Sequence, residues 1–399
     1  MEIHRHHTLH GAHPKTMGFW LIYPISIIFS FHVLLVAYIH SSYMEAYISP
    51  EGVGALFSIG SAIAVIAFLF FSHALRAVGN VKLTLALAVL DVLALVVLGA
   101  SETAATAIVA FVVFLTVNPL LYLCIDIFSE TIIGNDESAT GSKRGLTLTL
   151  MSLAAVAAPL TMTFVVGDGD DLSAVYFTSA GFFVFFILFI LAKFKNFNDP
   201  AYIKMHVKST LRSLWARSDI RNVLLAHFTL QTFFTWAGIY IPLYLSTVIG
   251  LAWSEIGYII AVGLTAYVLF DWPIGIIADK WIGEKELMAF GFVILAVSSA
   301  YIAFMSDATL LGWMVLVFIT RLGASLTEVT TESYFFKHTK GGDAHAISFF
   351  RLLRPLSTVF GALVGSAALL YLDFNLIFVV LGILMVPGIF FTMALKDTK

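Results

Sequence analysis

Charged side chains are scarce in this sequence. Asp, Glu, Lys and Arg make up 12% of its 399 residues, about half the fraction usual in a soluble domain. Apolar residues fill 60% of it, and the mean hydropathy is +0.94. In water such a chain would expose apolar patches over its whole surface, which excludes an ordinary soluble globule and points to lipid as the solvent. Cysteine is scarcer still. Cys124 stands alone, so no intramolecular disulfide, CxxC redox centre or Cys-rich zinc site can form. There is no P-loop, which excludes ATP as the direct energy source. There is no HExxH, GxSxG or comparable constellation either, so the chain is not expected to be an enzyme.

What is present is a repeated pattern of long apolar runs. A bilayer core of about 30 Å needs about 20 apolar residues per helix. Such runs lie near 18–40, 51–72, 83–99, 104–130, 145–166 and 173–193, then near 222–247, 254–278, 287–306, 309–336, 346–370 and 374–395. The expectation is an all-α membrane protein with twelve spanning helices. The polar tail 1–17 is too long and too His-rich for a signal peptide's n-region, and the run after it is too long for an h-region, so the first run reads as a retained helix. His4, His6, His7, His10 and His13 of the tail lack cysteine partners, and Glu2 is the one acid beside them. No metal, cofactor or nucleic-acid partner is expected.

Basic residues fix an orientation. Every Lys and Arg except Arg321 falls in the tails, in the interval 194–221 with its flank Lys193, or near the helix ends on the face that the termini share. The opposite loops, 41–50, 167–172 and 248–253, contain none and carry Glu45, Asp168, Asp170 and Asp171. The positive-inside rule then places both termini in the cytoplasm. The expected setting is the cell (inner) membrane.

The interval 194–221 divides the chain into two six-helix halves, 18–193 and 222–395, followed by a tail at 396–399. The halves repeat. Gly54 and Gly60 recur as Gly257 and Gly263 at an offset of 203, and the run 113–116 recurs at 317–320, 204 residues on. Arg144, Ala154 and Ala158 recur as Arg351, Gly361 and Gly365 at an offset of 207. Parallel repeats of this kind imply an axis along the membrane normal, with a site near the midplane between them.

Between helices 8 and 9 stands Gly275-Ile-Ile-Ala-Asp279-Lys280-Trp-Ile-Gly283-Glu-Lys285. This GxxxD[RK]xxGxK run resembles the signature loop of the major facilitator superfamily, and the twelve-helix, two-half layout resembles that family along the whole chain. The resemblance implies that Asp279 is a gate element, meeting a helix N-terminus and basic groups across the cytoplasmic seam. The other reading of Asp279 is a solvated loop acid. The first half keeps Arg76 but has Leu75 where the family usually carries aspartate. Gly145, Ala154, Ala158 and Pro159 of helix 5 resemble the family's exporter motif, with alanine for two glycines; ordinary small-residue packing is the alternative.

Helix 10 carries Arg321, Glu328 and Glu332. At 100° per residue their spacings of seven and eleven keep them within about 40° on one face. A charge in hydrocarbon is costly, so these residues must face water or a partner. Arg321 and Glu328 are the expected coupling pair, their backbones about 10 Å apart along the helix. Gate pairing of Glu328 with Arg351 or Arg354 is the rival, and for Glu332 such pairing is the favoured reading. Asp126 and Glu130, with Lys143 and Arg144, resemble the same inner-gate arrangement in the first half. His32, on a helix that lines the family's cavity, can titrate near neutrality or sit satisfied in the core. Asn118 and Asp271 are further cavity candidates. Trp236 and Tyr240 share a face with Phe233 and Tyr244 that can grip a solute, or anchor the helix at the interface. Asp91 receives no role.

The expected function is secondary active transport by alternating access, as a monomer: proton-coupled export of a small, mostly apolar solute. Uptake of a sugar or organic anion, with Arg321 as the anion's partner, is the second reading. A transporter-like receptor or lipid-handling protein that moves no solute is the alternative of another class. For the topology, cysteines introduced at Lys204 and Ser173 are expected to label from opposite sides of the membrane. Labelling of both from one side would refute the twelve-helix arrangement.

Overall fold

The structure is a computed structural model that describes residues 17–133, 137–167, 169, 171–202, 207–305, 309–339 and 344–397. Among them there are fourteen α-helices. The first half holds α1 (Ile22–Ala37), the short α2 (His40–Glu45), α3 (Pro50–Val78), α4 (Asn80–Gly99), α5 (Ala104–Ile133), α6 (Glu137–Val166) and α7 (Ser173–Lys193). A surface helix, α8 (Val207–Ala216), precedes α9 (Ser218–Thr247), α10 (Trp253–Lys280), α11 (Glu284–Tyr301), α12 (Leu310–His338), α13 (Ala344–Leu369) and α14 (Ile377–Met393).

Local chemistry sets several of these boundaries. Ser49 caps α3, its Oγ accepting the Gly52 N–H at 3.3 Å, and Pro50 follows at the first helical position. A hydroxyl at this point satisfies one of the helix's unpaired donors, and proline loses nothing there. Thr309 caps α12 in the same way. Gly79 and Gly283, 204 positions apart, break α3 from α4 and α10 from α11 with φ of 85° and 98°, a backbone region that favours glycine.

Eleven helices among the described residues are long and apolar enough to cross a membrane. The twelfth, α9, has the length but not the apolarity. It buries Asn222, His227, Thr229, Gln231, Thr232 and Thr235, so it faces protein rather than lipid over most of its surface. Large apolar side chains such as Phe70, Phe164 and Trp272 project outward from the other helices.

The two halves meet through equivalent helix pairs, α3 with α13 and α6 with α10. The repeat explains the symmetry. A Cβ on Gly54 would lie 2.8 Å from the Ala362 carbonyl on α13, and one on Gly257 would lie 2.8 Å from the Pro159 carbonyl on α6. Missing side chains thus let the backbones touch. Hydrogen bonds between the halves gather at this end, far from the termini. Ser58 Oγ donates to Val359 O at 3.1 Å, Thr163 Oγ1 donates to Ser254 O at 3.3 Å, and the Ser42 and Ser246 hydroxyls pair at 3.0 Å. Ser366 Oγ also donates to Glu51 O. The far face is therefore closed.

This closure can be tested directly. Gly54→Val together with Gly257→Val should force the far-face crossings apart. A disulfide between cysteines placed at Ser42 and Ser246, in a Cys124→Ser background, should form readily in the parent and poorly in the glycine variant. Equal cross-linking in both would mean that the close backbone approach does not hold the face shut.

Candidate functional site

Five of the charged residues that enter the membrane, Asp126, Glu328, Glu332, Arg351 and Arg354, meet in the seam between the halves, toward the face that carries the termini. Arg351 sits seven residues inside the start of α13, and Asp126 seven residues before the end of α5, so both lie about 10 Å from their helix ends. Arg351 Nε stands 3.4 Å from Asp126 Oδ2 of the first half, and its Nη1 stands 3.4 Å from Glu332 Oε1 of the second. One turn along α13, Arg354 Nη2 approaches Glu328 Oε1 at 4.0 Å, and its Nε donates to Gln231 Oε1 at 3.2 Å. Both guanidinium groups lie over the Tyr122 ring of the first half, 5.7 Å from its centroid. Cation–π contact of this kind suits a partly dried cation. Gln231 in turn reaches His227, whose ring stacks on Phe350 at 3.8 Å.

These charges are not sealed. Arg354 is 55% exposed, and Glu328 28%. With the far face closed, that water enters from the termini side. The arrangement is an ionic strap across the seam, with a first-half acid and a second-half acid competing for one arginine.

Several sequence expectations are redirected by the geometry. Arg321 and Glu328 do not pair; Glu328 faces Arg354. Arg321 is buried on α12, with its guanidinium 5.5 Å from the centre of the Phe233 ring. Trp236 and Tyr240 are not free to grip a solute. Their polar tips donate to the carbonyls of Gly361 and Ala362, each at 2.8 Å, which ties α9 to α13 beneath the far-face closure. Asp271 accepts from Ser325 Oγ at 2.5 Å, within the second half.

His32 turns away from the seam into the first half. Its ring stacks on Phe183 at 3.7 Å, and its Nε2 stands 3.6 Å from Asp91 Oδ2, with both residues fully buried. Asn118 Nδ2 donates to Asp91 Oδ1 at 2.8 Å. Three residues that looked separate in the sequence, Asp91 among them, thus form one buried cluster where α1, α4 and α5 meet. Neither His32 nor Asn118 lines the seam.

Comparison with known proteins fits this frame. The Major Facilitator Superfamily sequence model matches residues 223–399. The fold resembles the crystal structure of the nucleoside transporter NupG, with TM-score 0.71 and 13% identity over 94% of this chain and 98% of that one. It also resembles the POT family transporter PepTSo, with TM-score 0.76 and 11% identity over 96% and 98% of the two chains. A further POT family transporter, solved with a thioalcohol-conjugated peptide, gives TM-score 0.77 and 10% identity over 94% of each chain. No curated protein matches the sequence. The second half of the chain thus matches the Major Facilitator Superfamily model, and the whole chain shares its fold with these solved transporters. Identities this low carry the fold and leave the solute open.

In this chain the loop 275–285 is folded back on its own half. Asp279 Oδ1 accepts from Lys337 Nζ at 2.7 Å, and the same ammonium reaches Glu284, which is 1% exposed and also accepts from Ser333 at 3.0 Å. All four residues belong to the second half, and among the described residues Asp279 makes no ion pair across the seam. Lys280 is exposed, and a Cβ on Gly275 would meet open space. Gly283 does turn the chain. In the first half Arg76 bonds the Ser72 carbonyl of its own helix. An acid that the motif did not predict is supplied there by the linker: Asp199 Oδ1 accepts the Asn80 N–H at 2.8 Å, a carboxylate at the N-terminus of α4. Glu130 lies one turn beyond Asp126. The Arg144 side chain, the histidine-rich tail and Lys340 lie outside the described residues. Among those residues no group of three metal ligands occurs.

The residues that sequence reasoning missed are Asp91, Tyr122, Asp199, Gln231, Glu284 and Lys337. Except for the acid in an apolar run at Asp91, none carried a local signal; each matters through a partner distant in sequence.

The loop geometry predicts an order of damage. Lys337→Met removes the cation facing buried Glu284 and should cost about 1–3 kcal/mol of stability, recovered when Glu284→Gln is added. Asp279→Asn, at the exposed end of the same triad, should cost at most about 1 kcal/mol. Thermal melts in detergent will rank the variants, and a reversed order would contradict the assignment.

Proposed function

We propose that the protein is a proton-coupled secondary transporter of a small organic solute, with both termini cytoplasmic in a cell (inner) membrane, acting as a monomer by alternating access. The observation that carries this reading is Arg351 held between Asp126 and Glu332, one acid from each half. Rocking of the halves must shorten or break that strap. A proton arriving at a carboxylate weakens its hold on the arginine, and Glu328 beside Arg354 supplies an exchangeable site in the same water-filled seam. Proton binding and seam geometry are thereby linked.

Two directions of transport have support from different residues. Export is favoured by the likeness of Ala154, Ala158 and Pro159 to the exporter motif; the Pro159 carbonyl lies at the far-face crossing against Gly257. Uptake of an anion together with the proton is favoured by Arg321, which has no acid partner among the described residues.

The test is a proteoliposome assay under an imposed pH gradient. Glu328→Gln should abolish accumulation driven by the gradient, while solute exchange and binding persist and binding loses its pH dependence. If Glu328→Gln still concentrates solute, coupling lies elsewhere, with Asp126 the next residue to test. If the parent protein never responds to a pH gradient, the proton-coupled reading fails and the non-transporting alternative gains.

A further inference from the structure

Arg321 is 2% exposed on a membrane-spanning helix, and its Nε has no hydrogen-bond partner. Among the described residues no Asp or Glu lies within ion-pair distance of it. It sits eleven residues inside α12, about 16 Å from the far end and thus near the middle of the membrane. An uncompensated charge at that depth is costly. A second sealed polar atom belongs to the same place. The Tyr267 hydroxyl on α10 is buried without a hydrogen bond, and Tyr267 stands one helical turn along α10 from Gly263. The stem of Arg321 runs over Gly263 of α10, where a Cβ would approach its Cγ to 3.3 Å. Two buried donors thus lack an acceptor. The walls are aromatic: Phe233 lies under the guanidinium, and Phe234 stands 6.4 Å from the Tyr267 ring.

We propose that Arg321 and Tyr267 form the head-group site for an organic monocarboxylate, whose apolar body lies against Phe233 and Phe234. A guanidinium binds a carboxylate through paired, charge-assisted hydrogen bonds, and the phenol supplies a third donor. One arginine balances one negative charge. Asp271, one turn beyond Tyr267 on α10, and Glu328, two turns beyond Arg321 on α12, disfavour a dianion such as phosphate. The proposal rests on the transport reading for its setting, but it concerns equilibrium binding, so it stands or falls without any gradient.

The experiment compares acids with their neutral amides on the purified full-length protein by calorimetry. The probes are benzoate against benzamide, and hexanoate against hexanamide, with inorganic phosphate as the dianion control. At least tenfold tighter binding of the acids is expected in the parent. Arg321→Gln should erase that preference, Arg321→Lys should keep it with weaker binding, and Tyr267→Phe should reduce it several-fold. The unliganded Arg321→Gln protein should melt no lower than the parent, because an uncompensated charge has been removed. Equal binding of acids and amides, binding of neither, or tighter binding of phosphate overturns the proposal. So does a preference that survives Arg321→Gln, or a marked loss of unliganded stability in that variant, which would make Arg321 a structural cation. Acid binding without any response to a pH gradient would instead leave this site intact and sink the coupling.

Discussion

Hydrocarbon does not solvate charge, and a single ion in it costs several kcal/mol. The few charges of this chain are placed accordingly. Lysines and arginines collect at the helix ends on one face, where the helices run past the bilayer into water. Acids without nearby bases occupy the opposite loops. The charges that do enter the membrane are housed in three ways. Arg351 and Arg354 stand in the wet seam, with Asp126, Glu332 and Glu328 around them. Asp91 is dry but placed against His32 and Asn118. Arg321 has aromatic walls and, among the described residues, no counter-ion. The seam charges tolerate their depth because the halves do not close over them. If that face closed and water left, each pair would need good geometry or would have to lose a charge.

The two ends of the seam are built from different materials. At the far end glycines bring backbones together, and hydroxyls bond to carbonyls across the gap. None of these contacts is charged, so opening them exposes hydrogen-bonding groups that water can satisfy at once. At the termini end the contact is ionic and side-chain mediated. Only the second kind of contact changes its strength when a proton arrives. The symmetry of the repeat, visible in the equivalent crossings at Gly54 and Gly257, is therefore broken where chemistry is needed.

Much of the fold was legible in advance, and the errors share a cause. Far-side helix ends fall within about three residues of the apolar runs, whereas α3, α6 and α9 extend four to eight residues further on the termini side. Hydropathy sees the hydrocarbon layer and not the helical turns beyond it. The apolar run at 222–247 marks α9, although the buried polar residues of that helix leave it less apolar than the other eleven. The Arg351–Glu332 half of the strap follows from its place on neighbouring helices, whereas the reach of Arg351 to Asp126 across the seam does not, since the sequence pattern set Asp126 with the basic residues of its own half. His32 and Asn118 were misdirected because helix identity does not tell which face of a helix turns to the cavity. Asp91 had no partner in sequence; its partners are 59 and 27 residues away. The missing aspartate at Leu75 was noticed, but Asp199 from the linker was out of reach of any local motif.

The same electrostatics bears on direction. The seam acids, their two arginines and the buried Arg321 stand in one balance of charge. Adding an anion at Arg321 adds one negative charge to a space that loses its water when the halves close. The surrounding carboxylates then hold a proton more readily, since a nearby negative charge disfavours their ionised form. By linkage, a bound proton must favour the anion equally. Two ligands that each promote the other's binding travel best together, as a neutral pair, and the dry closed state is the one in which that neutrality matters most. An anionic solute thus argues for movement with the proton rather than against it. Export by exchange would require the site to prefer the solute when deprotonated, which suits a neutral or cationic molecule. On the proposed reading, the charge of the solute and the direction of coupling are one question, and it turns on Arg321.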